Sequence, residues 1–217
     1  MSKGEVRYGM VIDLRRCVGC HACSVACKSE NDVPLGVFRS WVKQVEKGSY
    51  PNVRKHFLPS LCNHCEKPIC VRNCPTTASY RREDGVVLID YDKCIGCGYC
   101  IASCPYQVRF INPLRGTAEK CTFCQHRIDN GVVPSCVNTC NGRARVFGDL
   151  NDPNSEIAKL IATQPVQVLK ADSGTEPRVY YINPDAGAMK GGYGPDSKVH
   201  LERGRNWSLS TTEKGRE

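Results

Sequence analysis

The chain has 217 residues, 41% hydrophobic and 24% charged, which is the balance of a soluble globular protein with one or two cores. No stretch approaches the roughly 20 apolar residues of a membrane helix, so we expect any membrane attachment to come through a partner. Cysteine is the anomaly, because the 16 cysteines approach the share found in disulfide scaffolds, yet those scaffolds are short secreted chains with scattered cysteines.

The first segment predicts a strand over 8–14 that leads into a cysteine motif. It holds no apolar run of signal-peptide length, so we expect synthesis and metal loading in the cytosol. The motif, C-x2-C-x2-C-x3-C, runs from Cys17 to Cys27, and residues 24–30 predict one or two helical turns. A turn at 34–36 and a strand over 41–45 complete this part of the chain.

A wider quartet, Cys62–Cys74, is followed by two strands, 78–81 and 86–89, around a glycine turn that predicts a hairpin. The stretch CIGCGYCIASCP then repeats the first motif at Cys94–Cys104 and adds a proline. In this spacing, three thiolates wrap one corner of an iron-sulfur cube and the fourth points toward a second cube. A strand over 108–111 follows, so residues 61–113 have the pattern of a compact two-cluster ferredoxin.

The fourth quartet, Cys121–Cys140, has a long spacer that predicts a helix ending at Asn130-Gly131. A strand over 144–147 and a turn at Gly148-Asp149 follow it. Asp152-Pro153 is predicted to cap a helix with one apolar face, and strands are predicted over 166–169 and 179–182. Residues 183–217 have few large apolar side chains, so we expect an extended tail that is either disordered or ordered on a partner.

The 16 cysteines divide into four quartets with none left over, as four 4Fe-4S cubes require. Zinc is the competing interpretation, but a zinc site normally closes with two separated hooks, and a triple hook ending in Cys-Pro has no zinc rationale. Four cubes of about −2 charge each would offset the formal charge of +8, so we reject a nucleic-acid partner.

Other polar residues near the cysteines have two interpretations each. His21 and His64, inside C-x2-C hooks, could be ligands or proton carriers, but with four cysteines per cluster we favour hydrogen bonds around a cluster or surface positions. Six basic residues could stabilise reduced clusters or form a solvated face: Arg15, Arg16, Lys28, Lys93, Lys120 and Arg127.

The order of the quartets, CVGCHAC, CNHCEKPICVRNCPT, CIGCGYCIASCPY and EKCTFCQHRIDNGVVPSCVNTC, resembles the iron-sulfur subunit of molybdopterin oxidoreductases of the dimethyl-sulfoxide-reductase superfamily. The short spacer before Cys121 and the ending RVFGDLNDPNS are most similar to the polysulfide, thiosulfate, tetrathionate and arsenate reductase subunits. The likeness covers about residues 6–182.

The resemblance implies an α+β fold of two ferredoxin-like modules, the second inserted in the first, plus a C-terminal extension. The expected divisions are an outer module at 1–61 and 114–150, an inner module at 62–113, a helix and strands packing on the outer module at 151–182, and the tail at 183–217.

Spacing alone leaves the pairing of quartets open, because spacers of 19 and 16 residues let the third quartet pair with either neighbour. The resemblance implies a nested pairing and four 4Fe-4S clusters. Some relatives lose one iron at the position of Cys97, which this chain keeps. The implied ligand sets are Cys17, Cys20, Cys23 and Cys140; Cys27, Cys121, Cys124 and Cys136; Cys62, Cys65, Cys70 and Cys104; and Cys74, Cys94, Cys97 and Cys100.

No residue set supplies a nucleophile with a base, so we expect one-electron transfer and no catalytic residue. The resemblance implies a relay between a molybdopterin catalytic subunit, with molybdenum or tungsten, and a membrane quinone subunit or another redox partner. We expect a place on the periplasmic face of the membrane, reached by co-export with a signal-bearing partner, with a cytoplasmic location as the alternative. The competing functions are a free-standing soluble polyferredoxin and a zinc-stapled interaction module.

Overall fold

The computed structural model describes residues 6–189 and the backbone of residues 197–200. The strands are β1 (Tyr8–Asp13), β2 (Ser40–Lys47), β3 (Arg54–Leu61), β4 (Ser79–Arg81), β5 (Val87–Ile89), β6 (Phe110–Ile111), β7 (Ala118–Glu119), β8 (Arg145–Asp149), β9 (Val166–Gln167), β10 (Val179–Ile182) and β11 (Ser197–His200). The helices are α1 (Ala22–Glu30), α2 (Ile69–Arg72), α3 (Tyr99–Ala102), α4 (Gln125–Ile128), α5 (Ser135–Asn138), α6 (Glu156–Thr163) and α7 (Ala186–Met189).

The central sheet has the order β8-β1-β10-β9, with β1 antiparallel to β8 and parallel to β10. Strand β1 is buried on both faces, because Met10 and Ile12 join the main core while Val11 packs in a second core with Ile157 of α6. The sheet therefore holds the start of the first cysteine motif beside the end of the fourth, since Asp13 N donates to Ala144 O at 2.7 Å.

Smaller sheets surround the remaining cysteines. Strand β2 pairs with β3 on one side and with β11 on the other, and the hairpins β4-β5 and β6-β7 form two further sheets. The short helices pack in pairs, α1 against α5 and α2 against α3. Each pair joins one helix from an early quartet to one helix from a later quartet, and the cysteines lie on or beside these helices.

The predicted strands β1 and β10 and the predicted hairpin β4-β5 are confirmed. Several predicted boundaries are wrong, as for the strands predicted over 108–111 and 166–169, and two have a clear physical reason. Gly148-Asp149 continues β8 because both residues pair with β1. The N-cap of α6 is Ser155, whose hydroxyl accepts from Ala158 N at 3.2 Å, and Asp152 instead accepts from Asn154 N in the preceding turn.

Two further findings concern the predicted divisions. Strand β6 pairs with β7, so this hairpin crosses the boundary drawn at residue 113. Of the tail 183–217, residues 183–189 and 197–200 are described. Ala186–Met189 is helical and not extended, and Met189 lies in the main core because Lys47 binds Asp185 at 2.5 Å and Lys43 donates to Ala188 O. Ser197–His200 is extended as strand β11, and residues 190–196 and 201–217 lie outside the described residues.

Within 6–189 and 197–200, no helix combines the length and the apolar character that a membrane crossing requires.

Candidate iron-sulfur centres

The four C-x2-C hooks share one backbone feature. The residue before the second cysteine of each hook is left-handed: Gly19 (φ +68°), His64 (+41°), Gly96 (+69°) and Phe123 (+53°). A left-handed residue reverses the chain locally, and for a residue other than glycine it costs about 1–2 kcal/mol. The same turn is thus built four times, although the second and fourth quartets lack the glycine that signals it in the first and third.

Two cavities are each surrounded by four cysteines. One is lined by Cys62, Cys65, Cys70 and Cys104. The other is lined by Cys74, Cys94, Cys97 and Cys100. Each cavity takes three cysteines from one quartet and the last cysteine of the other. The structure therefore brings together the members of the two inner ligand sets in the crossed arrangement that the resemblance implies.

The outer cysteines approach one another across the chain. Burial, with smaller contributions from the thiols of Cys136 and Cys124, raises the pKa of Cys27 to about 12. Burial also raises the pKa of Cys121 well above its ordinary value, and Cys27 and Cys136 raise it further. Such mutual effects require close approach. Cys27 therefore lies among three cysteines that are about a hundred residues later in the sequence.

Three of the remaining outer cysteines, Cys17, Cys23 and Cys140, also lie near one another. Burial raises the pKa of Cys17, and the neighbouring Cys23 and Cys140 add to the increase. Cys20 is exposed, whereas Cys23 is buried.

The cysteines suit iron-sulfur cubes chemically. All 16 are free of disulfide bonds. Backbone amides point at several sulfurs, as Ser79 N does at Cys74 Sγ (3.4 Å) and Ala144 N at Cys140 Sγ (3.3 Å), and such donors stabilise thiolates. Among the described residues, no three His, Cys, Asp or Glu side chains group around one metal ion. A cube has no need of such a group, because each of its cysteines binds a different iron.

Arg109 is a buried residue five positions after Cys104. Its Nη2 donates to Cys70 Sγ at 2.9 Å, and its Nη1 donates to the hydroxyl of Ser79 at 2.7 Å. Burial alone would lower the pKa of Arg109, but the surrounding cysteines, including Cys70 and Cys100, outweigh burial and raise it. The guanidinium thus lies between the third cysteines of the second and third quartets.

Arg145 occupies the equivalent place, five positions after Cys140. Its Nη2 donates to Cys23 Sγ at 3.4 Å and to the hydroxyl of Ser40 at 3.0 Å. Burial alone would lower the pKa of Arg145, but Cys136 and Cys23 outweigh burial and raise it. This guanidinium lies between the third cysteines of the fourth and first quartets.

The sequence suggests other basic residues as candidates for stabilising reduced clusters. Arg15 binds Asp13, Lys28 donates to three backbone carbonyls, Lys93 binds Asp90 and Arg127 binds Glu30. Lys120 is fully buried beside Cys121 and donates to the carbonyls of Val87 and Cys121. Arg109 and Arg145 were missed, although their equal offset from the last cysteine of a quartet was a signal.

A chain of hydrogen-bonded polar side chains supports the ligand set that contains Cys27 and Cys124. Asn31 Nδ2 lies 3.8 Å from Cys27 Sγ and 3.7 Å from Cys124 Sγ, so one amide faces two sulfurs. Arg39 Nη1 donates to Asn31 Oδ1 at 2.8 Å, and Arg39 Nε donates to Glu119 at 2.7 Å. The carboxylate thereby fixes the guanidinium, which in turn orients the amide.

The two histidines differ in environment. His64 is fully buried, stacks on Phe123 with ring centroids 3.7 Å apart, and accepts a hydrogen bond from Val87 N through Nδ1. Burial lowers the pKa of His64 well below its ordinary value, which keeps the ring neutral. His21 is partly buried and its Nε2 lies 3.1 Å from Gln44 Nε2. The stacking contact joins His64 to Phe123, which precede the second cysteine in the hooks of the second and fourth quartets.

Comparisons with known proteins agree with this site. A family model described as a 4Fe-4S dicluster domain matches residues 53–150. One subunit of the tetrathionate reductase of Salmonella typhimurium is 48% identical, over 82% of this chain and 73% of the relative. One subunit of the selenate reductase of Mesobacillus selenatarsenatis is 45% identical, over 82% and 72%. The chain belongs to the family of iron-sulfur electron-transfer subunits of these reductases.

A third relative, the arsenate respiratory reductase iron-sulfur subunit ArrB of a Shewanella species, is 38% identical, over 82% of this chain and 96% of its own length. The resemblance stated from the quartets is thus confirmed. The segment that matches the dicluster model starts one residue before β3, so it includes the second, third and fourth quartets and leaves out the first.

Proposed function

We propose that the chain relays single electrons through four 4Fe-4S clusters held by its 16 cysteines, in the four sets that the resemblance implies. When bound, the clusters supply reversible storage of one electron each. The observation that carries the proposal is the crossing of ligands, because each of two cavities takes three cysteines from one quartet and one from another. The side chains of the protein bind the cubes, exclude water and supply hydrogen bonds to sulfur.

The nested division into two modules is part of this proposal. The packing of α2 against α3 supports an inner module at 62–113, and the packing of α1 against α5 supports an outer module built from 1–61 and 114–150. Residues 151–182 contribute α6, which packs on β8, and β10, which pairs with β1. The hairpin β6-β7 favours ending the inner module near residue 119.

Contacts between the ligand sets suggest their order along the relay. Arg145 joins the set of Cys23 to the set of Cys136, and Arg109 joins the set of Cys70 to the set of Cys100. The stack of His64 on Phe123 joins these two halves. The order is then Cys17 set, Cys27 set, Cys62 set and Cys74 set. The exposed Cys20 and Cys97 lie at opposite ends, where electrons can enter and leave.

We propose a molybdopterin catalytic subunit, with molybdenum or tungsten, as one partner, because the relatives are named as subunits of tetrathionate, selenate and arsenate reductases. A membrane quinone-reactive subunit is proposed as the second partner. If the chain were a free-standing polyferredoxin, it would purify alone. Affinity purification under anaerobic conditions, with identification of the co-purifying proteins, tests this point.

We also propose that the chain works on the periplasmic face of the membrane, carried there by a signal-bearing partner. Cell fractionation with and without the gene for the catalytic subunit tests the location. A chain that stays in the cytoplasm in both strains would favour the soluble polyferredoxin.

The decisive experiment counts clusters and then removes ligands singly. The anaerobic protein should carry about 16 iron and 16 sulfide, four of each per cluster, with negligible zinc. In paramagnetic resonance, Cys27→Ala should alter the same signal as Cys121→Ala, and Cys17→Ala should alter a different signal together with Cys140→Ala. If Cys27→Ala and Cys17→Ala erased one common signal, each quartet would hold its own cluster. A colourless zinc protein would end the proposal.

A further inference from the structure

Arg109 and Arg145 are a matched pair of cations that contact cluster ligands. Each follows the last cysteine of a quartet by five residues, each donates to the sulfur of a third cysteine, and each is held by a buried serine hydroxyl. Their separations in sequence from those sulfurs, 39 and 122 residues, show that tertiary folding creates both contacts. The repetition of one arrangement at two places indicates a shared role.

The role follows from charge. A cluster gains one negative charge on reduction, and the fixed positive charge of a buried guanidinium favours that state more strongly than water would. Hydrogen bonds to cluster sulfurs act in the same direction. The guanidinium stays charged, so one electron is gained without a proton.

Position then decides which clusters respond. Arg109 donates to Cys70 of the third ligand set and lies beside Cys100 of the fourth, whereas Arg145 donates to Cys23 of the first set and lies beside Cys136 of the second. We propose that Arg109 and Arg145 each raise the reduction potentials of two clusters through their positive charge. This proposal rests on the four-cluster function proposed above. The relay is thus tuned as two separate pairs.

The test uses Arg109→Gln and Arg145→Gln in the complete anaerobic complex, with potentials read by paramagnetic resonance during redox titration. Each variant should lower the equilibrium constant for reduction of two clusters by about tenfold, which is about 59 mV for one electron. The two clusters shifted by Arg109→Gln should be those that Arg145→Gln leaves in place. Lysine at either position, which keeps the charge, should recover part of the shift.

Three controls make the result decisive. Arg82→Gln removes the same charge from a surface ion pair with Asp84 and Asp129, and it should move no potential. If a glutamine variant assembles poorly, Ser79→Ala and Ser40→Ala loosen each guanidinium instead and should shift the same pair by less. Iron content is measured for every variant.

The outcomes separate this inference from the function beneath it. Wild-type protein with fewer than four clusters contradicts the proposed function and, with it, the pairing of the two arginines. Four clusters with potentials unchanged in Arg109→Gln and Arg145→Gln, or with overlapping pairs shifted, overturn the tuning role alone and leave the relay intact.

Discussion

Breaking the ion pair between Arg39 and Glu119 should destabilise the contact between the loop before β2 and strand β7. The pair is buried, with side chains 8% and 2% exposed, and its atoms lie 2.7 Å apart. The second oxygen of Glu119 accepts from Asn112 at 2.5 Å, and Arg39 also donates to Asn31. Arg39→Met therefore leaves a buried carboxylate without its cation, and it also frees the amide that faces Cys27.

The size of the effect follows from that burial. Removing one partner of a buried pair costs about 3–5 kcal/mol, because the remaining charge is uncompensated. For a chain of this length, 1 kcal/mol shifts the unfolding midpoint by about 2–4 °C, so the expected loss is about 6–20 °C. Replacing both partners with apolar side chains removes the stranded charge, and the double variant should regain most of the loss.

The assay is loss of visible absorption on anaerobic heating at one fixed scan rate, since cluster loss is irreversible. Arg39→Met, Glu119→Leu and the double variant form the cycle. Lys67→Met serves as control, because Lys67 pairs with Glu176 on the surface, where both side chains are more than half exposed, and it should leave the midpoint nearly unchanged. A single variant as stable as this control, or a double variant showing the sum of both losses, would refute the reasoning.

Three further predictions concern stability. Gly85→Ala should lower the midpoint of cluster loss more than Gly131→Ala, because both glycines are left-handed, but only at Gly85 does the added Cβ collide with the Arg178 guanidinium. Phe123→Gly should destabilise by about 1–4 kcal/mol in the same assay, since the loss of a buried ring, about 3–5 kcal/mol, exceeds the relieved strain of about 1–2 kcal/mol. Removing iron with a chelator should abolish most helical circular dichroism, and a native spectrum without iron would contradict this.

The parts of the fold that sequence predicted are those determined locally. Strand β10 coincides with the predicted 179–182, and the β4-β5 hairpin follows from alternation around a glycine turn. Strand β3 was missed because it opens with Arg54, Lys55 and His56 and contains Pro59, all poor signs of a strand. Its pairing with β2 is what makes it a strand. Partners far away in sequence supply a stability that local propensity does not record.

The candidate site divides in the same way. The spacing of the cysteines predicts that they bind clusters, but it does not predict which quartets share a cube. That depends on tertiary contacts, such as the packing of α1 on α5. The basic residues next to cysteines in sequence mostly bind carboxylates or carbonyls. The cations that touch sulfur are Arg109, from the loop before β6, and Arg145, from strand β8. Only folding places a cation against a sulfur 122 residues away.

The left-handed hook residues show how local strain and long-range packing are balanced in the four hooks. At the two ends of the proposed relay, Gly19 and Gly96 adopt the turn without strain, and the neighbouring Cys20 and Cys97 are exposed. In the middle, His64 and Phe123 bear a strain of about 1–2 kcal/mol each. Burying an aromatic ring contributes about 1.5–3 kcal/mol, and a stacked pair adds about 0.5–1.5 kcal/mol, so packing outweighs strain. Glycine therefore suits an exposed hook, and an aromatic residue suits a buried hook whose ring packs in the core.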